Sequence, residues 1–123
     1  MRPSRLIEAA LVLLLAGCAS EPRAVPPDRQ VPLSLTESDF ALSPASPRLP
    51  RAGVVAIKVK NEGQTEHALE VHGPRGKSRT EALPPGGTAT LVVDLSKPGR
   101  YAMYCPLDHH RERGMGGWVS SPR

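Results

Sequence analysis

Proline and glycine punctuate this chain so closely that a long helix has no room. Of its 123 residues, 14 are proline and 11 are glycine. Over most of the chain they fall at intervals of roughly 8 to 12 residues, the spacing of short strands joined by turns. The intervals between them alternate apolar with polar. In "VVAIKVKN" Val55, Ile57 and Val59 make one face while Lys58 and Lys60 look outward, which is the period of a half-buried strand. "TATLVVDL" reads as a strand too, and so does "YAMYC", with Tyr101, Met103 and Cys105 on one face. Val31, Leu33 and Leu35 alternate with Pro32 and Ser34; Pro32 lacks an N–H and confines that strand to an edge or a strand start. "HALEV" predicts a strand opening at His67, with His67, Leu69 and Val71 on one face, broken by "HGPRGK". "GWVS" predicts a short last strand. The expected fold is all-β, a Greek-key antiparallel β-sandwich or barrel.

The first residues read differently. Arg2 and Arg5 precede a short apolar run over residues 6–16, too short for a permanent membrane span and suited to the core of a signal peptide. The run ends in Leu15-Ala16-Gly17-Cys18. This resembles the lipobox of bacterial lipoproteins, which implies cleavage before Cys18 and lipidation of its thiol. Residues 1–17 are thus expected to be a lipoprotein signal peptide. Residues 18–30 follow as a lipidated cysteine and an extended, proline-rich tether, and residues 31–123 as a single domain. Removal of Arg2, Arg5 and Glu8 takes the formal charge from +4 to +3. The arginines are scattered rather than clustered, so no nucleic-acid partner is expected.

Only two cysteines are present. With Cys18 lipidated, Cys105 has no partner for a disulfide within the chain. A lone thiol in an oxidising compartment is a liability unless it is buried or bound to a metal. Its neighbours favour the metal. "YCPLDHHRERGM" places Cys105, His109, His110 and Met115 within a dozen positions. Pro106 ends the strand, and the loop beyond it can turn a thiolate, an imidazole and a thioether toward one point. Either His109 or His110 can supply the imidazole. Such soft donors suit copper better than calcium or magnesium. The C-x-x-C pairs usual for zinc are absent, and an iron–sulfur cluster needs more cysteines. A trigonal His₂Cys site with a weak axial methionine lacks one ligand. His67 is the candidate, although a lone histidine on a strand face is more often a satisfied, half-buried residue.

"NEGQTEHALEV" followed by "GRYAMYCPLDHHRERGM" resembles the cupredoxins, the type 1 (blue) copper proteins, and in particular small plastocyanin-like domains of bacterial exported proteins. The resemblance extends to "DFALSPASPRLPRAGVVAIKVKN" and "LPPGGTATLVVDLSKPGRY", and so to nearly the whole domain. It implies one type 1 copper ion held by His67, Cys105, His110 and Met115. His110 is preferred over His109 because "H-x-x-x-G-M" then matches the family. It further implies hydrogen bonds from Asn61 or the backbone near Glu66 that steady the copper ligands. It implies an apolar rim of Pro106 and Met115 around an exposed edge of His110, where the electron would leave. His72 is expected to be a surface residue at a strand end.

The expected function is therefore that of an exported, lipid-anchored, monomeric one-electron carrier that catalyses nothing alone. Its partners would be redox proteins, and its lipid would hold it on a membrane facing the periplasm or the cell exterior. Ala19 lacks the acidic character that retains lipoproteins at an inner membrane, which favours the outer membrane where a cell has two. The competing expectation is copper capture and delivery to a copper-accepting protein. Methionine- or histidine-rich tracts would mark such a role, and with 3 methionines and 4 histidines in the chain the His109-His110 pair is the only hint.

Overall fold

The structure is a computed structural model that describes Gly17 and residues 24–123. The signal-peptide reading and the lipidation of Cys18 lie outside the described residues. Residues 27–29 of the segment read as an extended tether form a 3₁₀ turn, Pro27–Arg29. Pro27 at its start has no N–H to satisfy and its ring presets φ for a turn. Arg51 Nη2 donates to the carbonyls of Arg29 and Gln30, fastening this end of the segment to the domain.

Eight strands follow: β1 (Val31–Ser38), β2 (Ala41–Ser43), β3 (Gly53–Asn61), β4 (Glu70–Gly73), β5 (Gly76–Arg79), β6 (Thr88–Leu95), β7 (Gly99–Tyr104) and β8 (Gly116–Ser121). They form two four-stranded sheets, ordered β2-β1-β3-β6 and β5-β4-β7-β8. The chain crosses between sheets after β3, after β5 and after β6, so the expected sandwich is present. One pair of strands departs from an all-antiparallel arrangement: β1 and β3 run parallel, from Val31↔Val55 to Glu37↔Asn61. After the β1–β2 hairpin the chain returns through residues 44–52 to the end where β1 began, and β3 sets out in the same direction. Pro32 tolerates its place because β2 covers β1 only at Thr36, Glu37 and Ser38. At Pro32 the edge is open and no ladder N–H is missed.

The core lies between the sheets. Val31 and Leu35 of β1, Val55, Ile57 and Val59 of β3, and Leu91, Val93 and Leu95 of β6 meet Val71, Met103 and Val119 of the opposite sheet. Each such side chain removed from water contributes about 1.5–3 kcal/mol. The proline-studded loop closes one edge. Trp118 N–H donates to Ala45 O at 3.0 Å, Ser120 N–H to Pro47 O at 3.0 Å, and Leu49 N–H to Ser120 O at 2.9 Å. These bonds satisfy the outer side of β8, which would otherwise be an exposed strand edge. The close approach requires glycine at position 117, where a Cβ would run into the Ala45 carbonyl.

The strand expected from His67 begins later, at Glu70. His67 and Leu83 instead form an isolated bridge. Leu69 N–H is taken by Thr80 Oγ1 at 3.0 Å while Leu69 O accepts from Thr80 N–H at 2.9 Å, so one side-chain bond interrupts the ladder between His67 and Glu70. "HGPRGK" does not end the sheet but turns it, with Gly73 paired to Gly76 across a two-residue hairpin.

Candidate metal centre

The ends of β1, β3 and β7 meet at one pole of the sandwich, and four segments converge there. Asn61, the last residue of β3, is fully buried and acts as a tie for the loop that follows it. Its Nδ2 donates to Thr65 O and Leu83 O, both at 2.9 Å, and its Oδ1 accepts from Gly63 N–H at 2.8 Å. The loop so fixed delivers His67. Its backbone is pinned by His67 N–H to Leu83 O at 3.1 Å and Leu83 N–H to His67 O at 2.7 Å.

Cys105 follows β7, where Pro106 prevents the strand from continuing. Its N–H donates to Met115 O at 3.0 Å, and Met115 N–H donates to His110 O at 3.1 Å. The loop is therefore closed by its own backbone, with His110 opening a 3₁₀ turn, His110–Arg113. Asp108 and His109 adopt positive φ, 41° and 58°, and Gly114 takes φ 113° to end the turn. This path turns His110 inward and His109 outward: the His109 side chain is 92% exposed.

Three donor atoms come together. One from each of His67, Cys105 and His110 lies within 4.8 Å of the others. Nδ1 of His67 is 3.2 Å from Nδ1 of His110, and Cys105 Sγ is 3.5 Å from that same His110 nitrogen. His67, Cys105 and Met115 are wholly buried and His110 is 6% exposed. Burial pushes the Cys105 thiol above its ordinary pKa, against backbone N–H groups of Ala68 and Leu107 that bond to Sγ and favour the thiolate. Two imidazole nitrogens and a sulfur at these separations can share one ion. With Met115 buried and its backbone bonded to both Cys105 and His110, the donor set fits a single type 1 copper.

The surroundings differ in part from expectation. Met115 forms no surface rim, being buried. Phe40 takes that place, its ring centroid 4.9 Å from that of His110 and 6.2 Å from that of His67. Arg113 lies over the Phe40 ring at 4.6 Å. His72 is not a free surface residue. It is half-buried and bonds Glu70 Oε2 at 3.0 Å and Tyr104 OH at 2.8 Å, while the Tyr104 hydroxyl also donates to Glu70. Arg111 lies 4.0 Å over the Tyr104 ring.

Two acids escaped sequence reasoning. Asp39 Oδ1 is 2.7 Å from His67 Nε2; 28 positions separate the residues, and no local pattern joins them. Glu37 is fully buried, with no partner for either carboxylate oxygen. Burial pushes its pKa up to about 8. Here a signal did exist, since Glu37 falls on the inward face next in step after Leu33 and Leu35.

No curated protein sequence matches this one. Among solved structures it is similar to a sodium-dithionite-reduced auracyanin from the photosynthetic bacterium Roseiflexus castenholzii, with 16% identity and a TM-score of 0.68 over 76% of this chain and 98% of that one. It is also similar to auracyanin B, with 17% identity and a TM-score of 0.66 over 75% and 88% of the two chains. At these identities the likeness establishes the fold. The Cupredoxin-like domain family matches residues 8–115, a span that ends on Met115. The chain belongs to the cupredoxin-like domain family.

Proposed function

We propose that this protein is an exported, lipid-anchored electron carrier that holds one copper ion through His67, Cys105, His110 and Met115. The observation that carries the reading is the convergence of three buried donor atoms within 4.8 Å. A bound copper ion supplies a one-electron Cu(I)/Cu(II) couple. The chain's own bonds would hold the donors in one arrangement, so that little would need to move when an electron came or went. The His67–Leu83 bridge holds one imidazole from the β3 side, and the Cys105–Met115 and Met115–His110 backbone bonds lock the other three donors to one another. N–H groups of Ala68 and Leu107 draw charge from the sulfur, and burial keeps water from adding as a further ligand. That an auracyanin of the same fold has been obtained in a dithionite-reduced form supports redox use of the fold.

The protein catalyses nothing alone and passes electrons to protein partners outside the cytoplasm. No helix among the described residues is long and apolar enough to cross a membrane, and attachment in this reading rests on lipid at Cys18. Burial of the donors weighs against copper delivery, which calls for a site open to exchange.

The test is the visible spectrum of residues 19–123 with one equivalent of Cu(II). An intense sulfur-to-copper band that ascorbate bleaches and ferricyanide restores is the expected result. A colourless protein that binds Cu(I) tightly, or that reduces Cu(II) once and loses its thiol, would replace electron transfer with copper handling.

A further inference from the structure

The two histidines of the cluster are held differently. His110 packs against Phe40, whereas Nε2 of His67 is 2.7 Å from a carboxylate oxygen of Asp39. That carboxylate is built in. Its Oδ2 accepts from Gln64 N–H at 2.8 Å and its Oδ1 from Thr65 Oγ1 at 3.1 Å, both from the loop that carries His67. A carboxylate that accepts from an N–H and a hydroxyl in this way is held as the anion at neutral pH, where an ordinary aspartate is already ionised. An anionic carboxylate only accepts, so His67 must carry its hydrogen on Nε2. Nδ1 is then left with its lone pair aimed at the other donors. Gly63 makes room for the contact, because a Cβ there would collide with both Asp39 Oδ1 and His67 Nε2.

We propose that Asp39 is a positioning residue of the centre, fixing the tautomer and orientation of His67 and adding negative charge behind that ligand. This rests on the copper-site reading above and deepens it. The charge does two things. It makes His67 a stronger donor, and it favours the oxidised over the reduced metal, because the oxidised centre carries one more positive charge. A neutral acceptor such as a backbone carbonyl would orient the ring without the second effect.

Three variants separate these roles. Asp39→Asn keeps an oxygen acceptor and removes the charge, Asp39→Ala removes both, and Asp39→Glu restores the charge with altered reach. The first readout is the ¹⁵N pattern of His67 in the protein without added metal. The wild type should show the Nε2–H tautomer, and Asp39→Ala should lose it or mix it. The second is Cu(I) affinity by chelator competition, expected to fall about 10- to 100-fold in Asp39→Ala, the usual effect of deleting such a partner. The third is the reduced-to-oxidised ratio in a fixed redox buffer. It should rise about tenfold in Asp39→Asn, about 59 mV for one electron, and Asp39→Glu should recover part of it.

A wild-type His67 with its hydrogen on Nδ1 overturns the proposal, as does an Asp39→Ala variant with unchanged tautomer and Cu(I) affinity. Asp39→Asn with an unaltered ratio overturns the charge effect. If the wild type takes up copper but yields no cycling chromophore, the electron-carrier reading falls, while tautomer and affinity still decide the role of Asp39.

Discussion

Nδ1 of His67 and Nδ1 of His110 face each other at 3.2 Å, although the residues lie 43 positions apart in the chain. At that distance one nitrogen donates an N–H to the other, or both turn their lone pairs to a shared cation. Asp39 holds the hydrogen of His67 on Nε2, so His67 Nδ1 is the accepting atom of the pair, open to an N–H of His110 without metal and to a shared cation with it. The four backbone bonds that pin His67 and close the 105–115 loop make this juxtaposition a property of the fold rather than of side-chain chance.

Adjacent histidines should behave oppositely. The His109 side chain is almost fully exposed at a positive φ, while His110 is buried among the donors. His109→Ala should keep the copper chromophore and its intensity. His110→Ala should abolish it or convert it to a different spectrum, as should Cys105→Ala and His67→Ala. Absorbance at one equivalent of Cu(II) checks all four, and loss of colour in His109→Ala alone would reverse the assignment.

Copper uptake should release a proton at neutral pH. The buried Cys105 thiol has its pKa raised by desolvation, yet the metal takes the thiolate. Below the thiol pKa, apparent affinity should therefore climb as pH rises, by about tenfold per pH unit for one displaced proton. Chelator competition between about pH 7 and about pH 9 measures the slope, and a weakly buffered titration counts the proton. Before metal is added, the thiol should alkylate slowly in the folded state.

Glu37 should make stability fall as pH rises. Its folded pKa of about 8 lies above the ordinary 4.5, so the folded protein retains a proton that the unfolded chain releases. The benefit of the neutral carboxyl is fully present below about pH 4.5, is lost progressively toward about pH 8, and changes no further above that. The span is on the order of 5 kcal/mol. Glu37→Gln keeps the shape and cannot ionise. Urea melts of the metal-free protein at about pH 5 and about pH 8 should show the wild type losing stability and the variant losing much less.

Removing the Asn61 side chain should loosen the loop that presents His67. Asn61→Ala would leave Thr65 O, Gly63 N–H and part of the bonding of Leu83 O without their partner. The loss should amount to about 2–4 kcal/mol, since buried polar groups left unpaired keep their desolvation cost. Thermal unfolding measures it. In the copper-loaded protein the electron paramagnetic resonance lines should broaden as His67 samples more positions.

β6 was legible from alternation alone, since the period of two needs only near neighbours. The same was true of β3 and β7, where each inward side chain implies the next. The nearness of Cys105, a histidine and Met115 was legible for a related reason, since a strand stop and a short loop keep them close; that His110 rather than His109 turns inward depends on the path of the loop. His67 was the limiting case. Its residue type and neighbours suggested a ligand, but the strand drawn through it was wrong at its start, because Thr80 and Leu83 come from another part of the chain to bond residues 67–69.

The sequence by itself determined the class of fold, the turns and the soft donor set, all of which rest on contacts within a few residues. Tertiary structure decided that the end of β1 lies beneath the loop after β3. That packing puts Asp39 against His67 and Phe40 against His110. It also decided that Glu37 ends in the core without a partner and that His72 joins Glu70 and Tyr104. Local periodicity says which way a side chain points from its own strand. It cannot say what stands opposite, because that depends on how two sheets, sealed by one apolar core, settle against each other.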